Sequence, residues 1–95
     1  MQLLTKAIAK SLPKIGATSG QDDPMVLAKF FYPDFGWTWY AIEFDGEDEF
    51  FGLVDGFERE LGYFSLSKLQ TTRGRLGCSI ERDLYWEPCR LSELQ

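Results

Sequence analysis

The stretch from Trp37 to Asp55, WTWYAIEFDGEDEFFGLVD, constrains the fold more than any other part of the chain. Two runs rich in aromatic and β-branched residues flank Asp45-Gly46, where glycine supplies the positive φ that a tight hairpin turn requires. Side chains alternate along a strand, so the hairpin has two faces. One carries Tyr40, Ile42 and Phe44 with Phe51 and Leu53; the other carries Trp37, Trp39, Phe50 and Val54 beside Ala41 and Gly52. A turn of two or four residues preserves these sets, whereas a three-residue turn breaks them. Neither face is polar. A sheet apolar on both sides needs cover on both sides, or it offers one side to a partner.

The rest of the chain reads as material for that cover. Leu4, Ile8 and Leu12 form one stripe and Lys6, Lys10 and Lys14 another, which predicts a helix capped by Thr5 and stopped by Pro13. GATSGQDDP is then a polar loop. MVLAKFFYP is a β-type run ended by Pro33, and ELGYFSLSKLQTTRG predicts a short strand feeding a helix with Ser65 as N-cap, Phe64 stapled onto Leu69, and Gly74 as a left-handed stop. IERDLYWE alternates as a fifth strand, and LSELQ suggests a helical turn. The expected architecture is α+β: one domain over residues 1–95, an antiparallel sheet of about five strands, an N-terminal helix and a second helix after strand four.

Composition removes several chemistries. The chain has no histidine and two cysteines, so it cannot assemble a four-ligand Cys/His zinc site or an imidazole-based triad. Cys78 and Cys89 stand apart on an extended stretch and are expected as free thiols. No nucleotide-binding glycine motif occurs, and ELGYFSL lacks the glycine of a nucleophile elbow. The acidic cluster Asp45, Glu47, Asp48 and Glu49 has Phe50 where a calcium loop needs glycine, so it reads as a wet hairpin tip. No metal and no cofactor is expected. Arg73 and Arg75 follow a helix and complement its C-terminal dipole. No apolar run approaches membrane-spanning length and the N-terminus lacks a secretory pattern, which points to the cytoplasm.

Charge is unevenly spread: residues 1–21 carry +3, residues 22–60 carry −9 and residues 61–95 carry +1. An acidic surface disfavours direct nucleic-acid binding. Arg82 lies on the apolar side of its strand and needs a carboxylate or solvent, with Asp55 or Glu43 the natural partner.

The segments PMVLAKFFYPDFGWTWYAIEFD, FFGLVDG, ELGYFSLSKL and LGCSIERDLYWEP, with LLTK at the start, resemble a family of small bacterial proteins of unknown function, a DUF family frequent in plasmid and mobile-element loci. The resemblance implies a compact domain and supplies no catalytic residues. The functional expectation is a non-enzymatic accessory module that binds a protein partner or itself. Its candidate surface is Trp37, Trp39 and Phe50, with Arg82 and Asp55 as candidate polar contacts. Two alternatives are an acidic mimic of nucleic acid that inhibits a DNA-binding defence protein, and a small enzyme using paired carboxylates.

Overall fold

Thr5 opens the first helix, α1 (Lys6–Ser11): its hydroxyl accepts a hydrogen bond from the Ile8 N–H at 3.2 Å, and the helix ends two residues before Pro13. The structure, a computed structural model, describes residues 2–94; Met1 and Gln95 lie outside it. The strands are β1 (Met25–Val26), β2 (Ala28–Phe31), β3 (Thr38–Phe44), β4 (Glu49–Asp55), β5 (Arg59–Ser65), β6 (Glu81–Arg82) and β7 (Cys89–Arg90). Between β5 and β6 lies α2 (Leu66–Thr71), and a 3-10 turn (Leu91–Leu94) follows β7. Strands β5-β4-β3-β2-β6, in that order, form a five-stranded antiparallel sheet, while β1 and β7 pair separately. The α+β expectation is met.

The central hairpin contains two odd steps, a three-residue turn and a bulge, that redistribute its side chains. Asp45 N–H donates to the Glu49 carbonyl at 2.9 Å, which leaves three residues in the turn, with Gly46 at φ 90°. Phe44 therefore faces Phe50, contrary to the expected placement beside Tyr40. The ladder shifts register between Ala41 and Glu43, a bulge that returns Trp39 to the face of Val54 and Tyr40 to the face of Leu53, as the expected face sets have them. Gly52 is required at this point, because a Cβ there would overlap the Tyr40 carbonyl oxygen.

Both faces of the sheet are covered, as an apolar hairpin demands. On one, Phe30, Trp39, Phe44 and Phe50 pack under Leu3 and Leu12 from the α1 region and Leu69 from α2. On the other, Tyr40, Ile42 and Leu53 pack with Val26 and Leu91, and Trp86 closes against Tyr40 with ring centroids 5.7 Å apart. A 3-10 turn in place of a longer helix is enough here, since Leu91 is its single fully buried side chain.

Three local expectations are corrected. MVLAKFFYP divides at Leu27, whose N–H bonds to Ala41 O at 2.9 Å, so that β1 leaves the sheet and pairs with β7. IERDLYWE is a strand only at Glu81 and Arg82: the Asp83 carboxylate accepts from Tyr85 N–H at 2.9 Å, an Asx-type turn that competes with strand pairing. Gly74 does not supply a left-handed stop. Helix α2 ends at Thr72 in extended backbone, and Gly74 leaves room for the Asp34 carboxylate, which a Cβ there would displace.

Candidate protein-interaction surface

The two edges of the sheet differ. At one, β6 contributes two residues and then turns away; at the other, β5 pairs with β4 along all seven of its residues and has its outer side bare. The bonding pattern fixes which groups face outward. Leu66 N–H bonds Asp48 O at 2.8 Å and Gly56 N–H bonds Glu58 O at 3.1 Å, so the even-numbered β5 residues exchange backbone bonds with β4. In an antiparallel ladder these pairs alternate with unbonded ones. The N–H and C=O groups of Arg59, Leu61, Tyr63 and Ser65 therefore point away from the sheet.

Apolar concavities flank this edge on both faces. On the first, Ile42, Phe51, Leu61 and Tyr63 line a cavity of about 260 Å³ closed by the Gly16–Pro24 loop. Leu61 is 50% exposed and Tyr63 60%, and the Tyr63 ring stands 5.2 Å from Phe51. On the second, Trp37, Val54, Phe57 and Gly62 belong to a trough of about 560 Å³, with Glu58 and Glu60 on its lining. Phe57 is 88% exposed and meets the Trp37 ring edge-on at 5.3 Å. Gly62 has open space where a side chain would stand.

The loop that walls the smaller cavity is held from below. Glu43, 3% exposed, accepts hydrogen bonds from Gly16 N–H and Thr18 N–H, both at 2.8 Å, and from the Thr18 hydroxyl. Burial raises its pKa, but the Thr18 hydroxyl and the two amides outweigh burial and hold it below the ordinary glutamate range. The acidic tip is similarly organised. Asp45 accepts from the amides of Glu47, Asp48 and Glu49, and Asp48 binds Ser65 Oγ and Ser67 N–H, joining the hairpin to the start of α2. Those hydrogen bonds hold both aspartates below their usual range.

The candidate residues separate. Trp39 is 9% exposed and Phe50 0%, stacked between Phe44 and Phe64 at 4.5 and 5.0 Å, so both belong to the core under the helices. Trp37 is half-buried and reaches the trough. Asp55 pairs with Arg59 at 3.3 Å, at the beginning of β5. Arg82 lies at the opposite edge, three strands from Asp55, and its guanidinium donates to the carbonyls of Gln2 and Leu3 at 2.7 and 2.9 Å. Neither expected carboxylate faces it: Glu43 is engaged by Thr18 and Asp55 by Arg59. Leu61, Tyr63 and Phe57 were not singled out from the sequence; the lone aromatic in the turn DGFE was the one available signal.

Residues 3–94 match the family described as "Protein of unknown function (DUF2958)". The chain belongs to this family. No curated protein and no solved structure matches it. Among the described residues of this DUF2958 chain, no group of three or more His, Cys, Asp and Glu side chains is arranged to hold a metal, and no helix is long and apolar enough to cross a membrane. Cys78 and Cys89 are free, and burial pushes the Cys89 thiol up, which keeps it protonated near neutral pH.

Proposed function

We propose that this chain is a non-enzymatic accessory protein of the cytoplasm that joins protein chains by accepting an extended segment along β5. The observation that carries the reading is a bare seven-residue edge flanked by apolar concavities on both faces of the sheet. An added strand makes main-chain bonds to the edge and sends alternate side chains to the two faces, where pockets sort them. Exposed edges are usually blunted by proline, lysine, a bulge or shortness. β6 is short; β5 carries charges only at its first two residues, Arg59 and Glu60, and the rest of the strand, LGYFS, has none of these devices.

The carboxylates favour binding over catalysis. Asp23, Glu43, Asp45 and Asp48 all have lowered pKa values because hydroxyls or amides engage each of them: Ser92 on Asp23, Gly16 and Thr18 on Glu43, the turn amides on Asp45, and Ser65 and Ser67 on Asp48; a general acid at neutral pH needs a raised value. The same engagement speaks against the tip as a free mimic of phosphate charge. A place in plasmid or other mobile-element loci rests on the family resemblance and suits a small protein acting on another protein.

The test is capture from the source cells on immobilised wild type, a Leu61→Lys, Tyr63→Lys variant and a Leu84→Lys control, all first verified as folded. A protein, including a second copy of the chain, should be held by wild type and control and lost from the double variant. Equal retention by all three overturns the reading.

A further inference from the structure

We propose that the strand received by β5 is the β5 of a second copy, placed by a two-fold axis at Gly62; the inference rests on the edge reading above and names its partner. Gly62 is the midpoint of Arg59–Ser65, so an axis there overlaps the two strands along their whole length. It also satisfies the bonding parity. Leu61 and Tyr63 have outward amides and carbonyls, and this axis sets Leu61 opposite Tyr63 of the second copy, with Arg59 opposite Ser65. The Leu61–Tyr63 pairs exchange both N–H···O bonds, while at the outer pairs the Ser65 N–H reaches the Arg59 carbonyl and the Ser65 carbonyl stays with α2 as its N-cap. Gly62 then meets its own counterpart at an unbonded pair, where the backbones approach to about 4.5 Å and absent side chains remove any obstacle.

The side chains agree with that register. On the face of the smaller cavity, Phe51 and Tyr63 continue into Leu61 and Leu53 of the second copy, giving an unbroken apolar row in place of the half-exposed Leu61 and Tyr63. One row further, Glu49 and Ser65 continue into Arg59 and Asp55 of the second copy. Arg59 thereby lies between two carboxylates, its own Asp55 and the facing Glu49, with only the small Ser65 between the latter pair. Phe57, two residues before the start of β5, falls beside the start of α2 of the second copy, which accounts for an aromatic left 88% exposed in one chain. The product is a closed pair with a continuous ten-stranded sheet, and the remaining edges are the two short β6 strands. An isologous contact of this kind stops at two copies.

The experiment measures mass by light scattering over a concentration series. Wild type should reach twice the 10.9 kDa of one chain. In Leu61→Lys, Tyr63→Lys, each lysine faces another lysine in this register, and association should weaken by about tenfold or more. In Leu61→Lys, Tyr63→Glu, each lysine faces a glutamate, and association should be retained. Gly62→Cys in a Cys78→Ser, Cys89→Ser background should cross-link to itself on mild oxidation.

A 10.9 kDa mass throughout, without cross-linking, overturns self-pairing. The edge reading then stands if wild type but not the lysine variant captures a different protein, and falls if capture is equal. A pair that survives the lysine variant, or that fails to cross-link through position 62, places the contact elsewhere and also overturns the proposal.

Discussion

Replacing Glu43 by alanine removes the carboxylate that holds the Gly16–Thr18 turn against the sheet. Three donors lose their acceptor: Gly16 N–H, Thr18 N–H and the Thr18 hydroxyl. Gly16 is exposed, so its amide turns to water, but Thr18 is 7% exposed and both of its donors stay buried. At about 1–3 kcal/mol for each buried group left unmet, and with partial relaxation of the loop, the loss is about 3 kcal/mol. For a chain of this length that lowers Tm by roughly 15 °C.

Urea unfolding followed by circular dichroism reads the change in stability directly. A loss under about 1 kcal/mol would refute the claim that Glu43 anchors the loop. Glu43→Gln separates charge from shape. Because the folded pKa of Glu43 lies below its unfolded value of about 4.3, the stabilisation is fully present above that value and disappears as pH falls through the lower folded value. The stability difference between wild type and Glu43→Gln should therefore be largest near neutral pH and shrink below about pH 4. A difference that does not change with pH would contradict the ionised anchor.

Further expectations concern the core and the tip. Gly52→Ala drives a methyl group into the Tyr40 carbonyl and should cost about 3 kcal/mol or prevent folding, read by thermal unfolding. Phe50→Ser should cost about 4 kcal/mol or more, since Phe50 is fully buried among Phe30, Phe44 and Phe64; an undiminished Tm would remove it from the core. Asp48→Ala should unlink the tip from Ser65 and Ser67, seen as faster amide exchange in the first turn of α2; unchanged exchange there would contradict the link. Phe57→Ala should leave stability within about 0.5 kcal/mol while weakening association.

The local signals carried much of the architecture. Thr5 and Ser65 cap the helices assigned to them, Gly46 takes the positive φ of the hairpin turn, and the two-sided hairpin is covered on both sides. The misplacement of Phe44 has a physical origin: a three-residue turn and a bulge are each odd steps in a period of two, and together they cancel for Trp39 and Tyr40 but not between them. The order of strands is a tertiary property. Nothing within RELGYFS declares that its outer side is bare, so Leu61 and Tyr63 read as ordinary strand residues, while Trp39 and Phe50, strong contact residues by type, went to the core once α1 and α2 settled over them. Arg82 satisfied itself on main-chain carbonyls of the N-terminal segment, a type of partner that side-chain pairing rules do not search.

Residue-resolved amide exchange along β5 tests the central claim most directly. In dilute protein, the amides of Glu60, Gly62 and Phe64, bonded to β4, should be protected, and those of Leu61 and Tyr63 should exchange freely. As association proceeds, the account predicts that Leu61 and Tyr63 become protected together. Free exchange at both positions in the fully associated protein would contradict it.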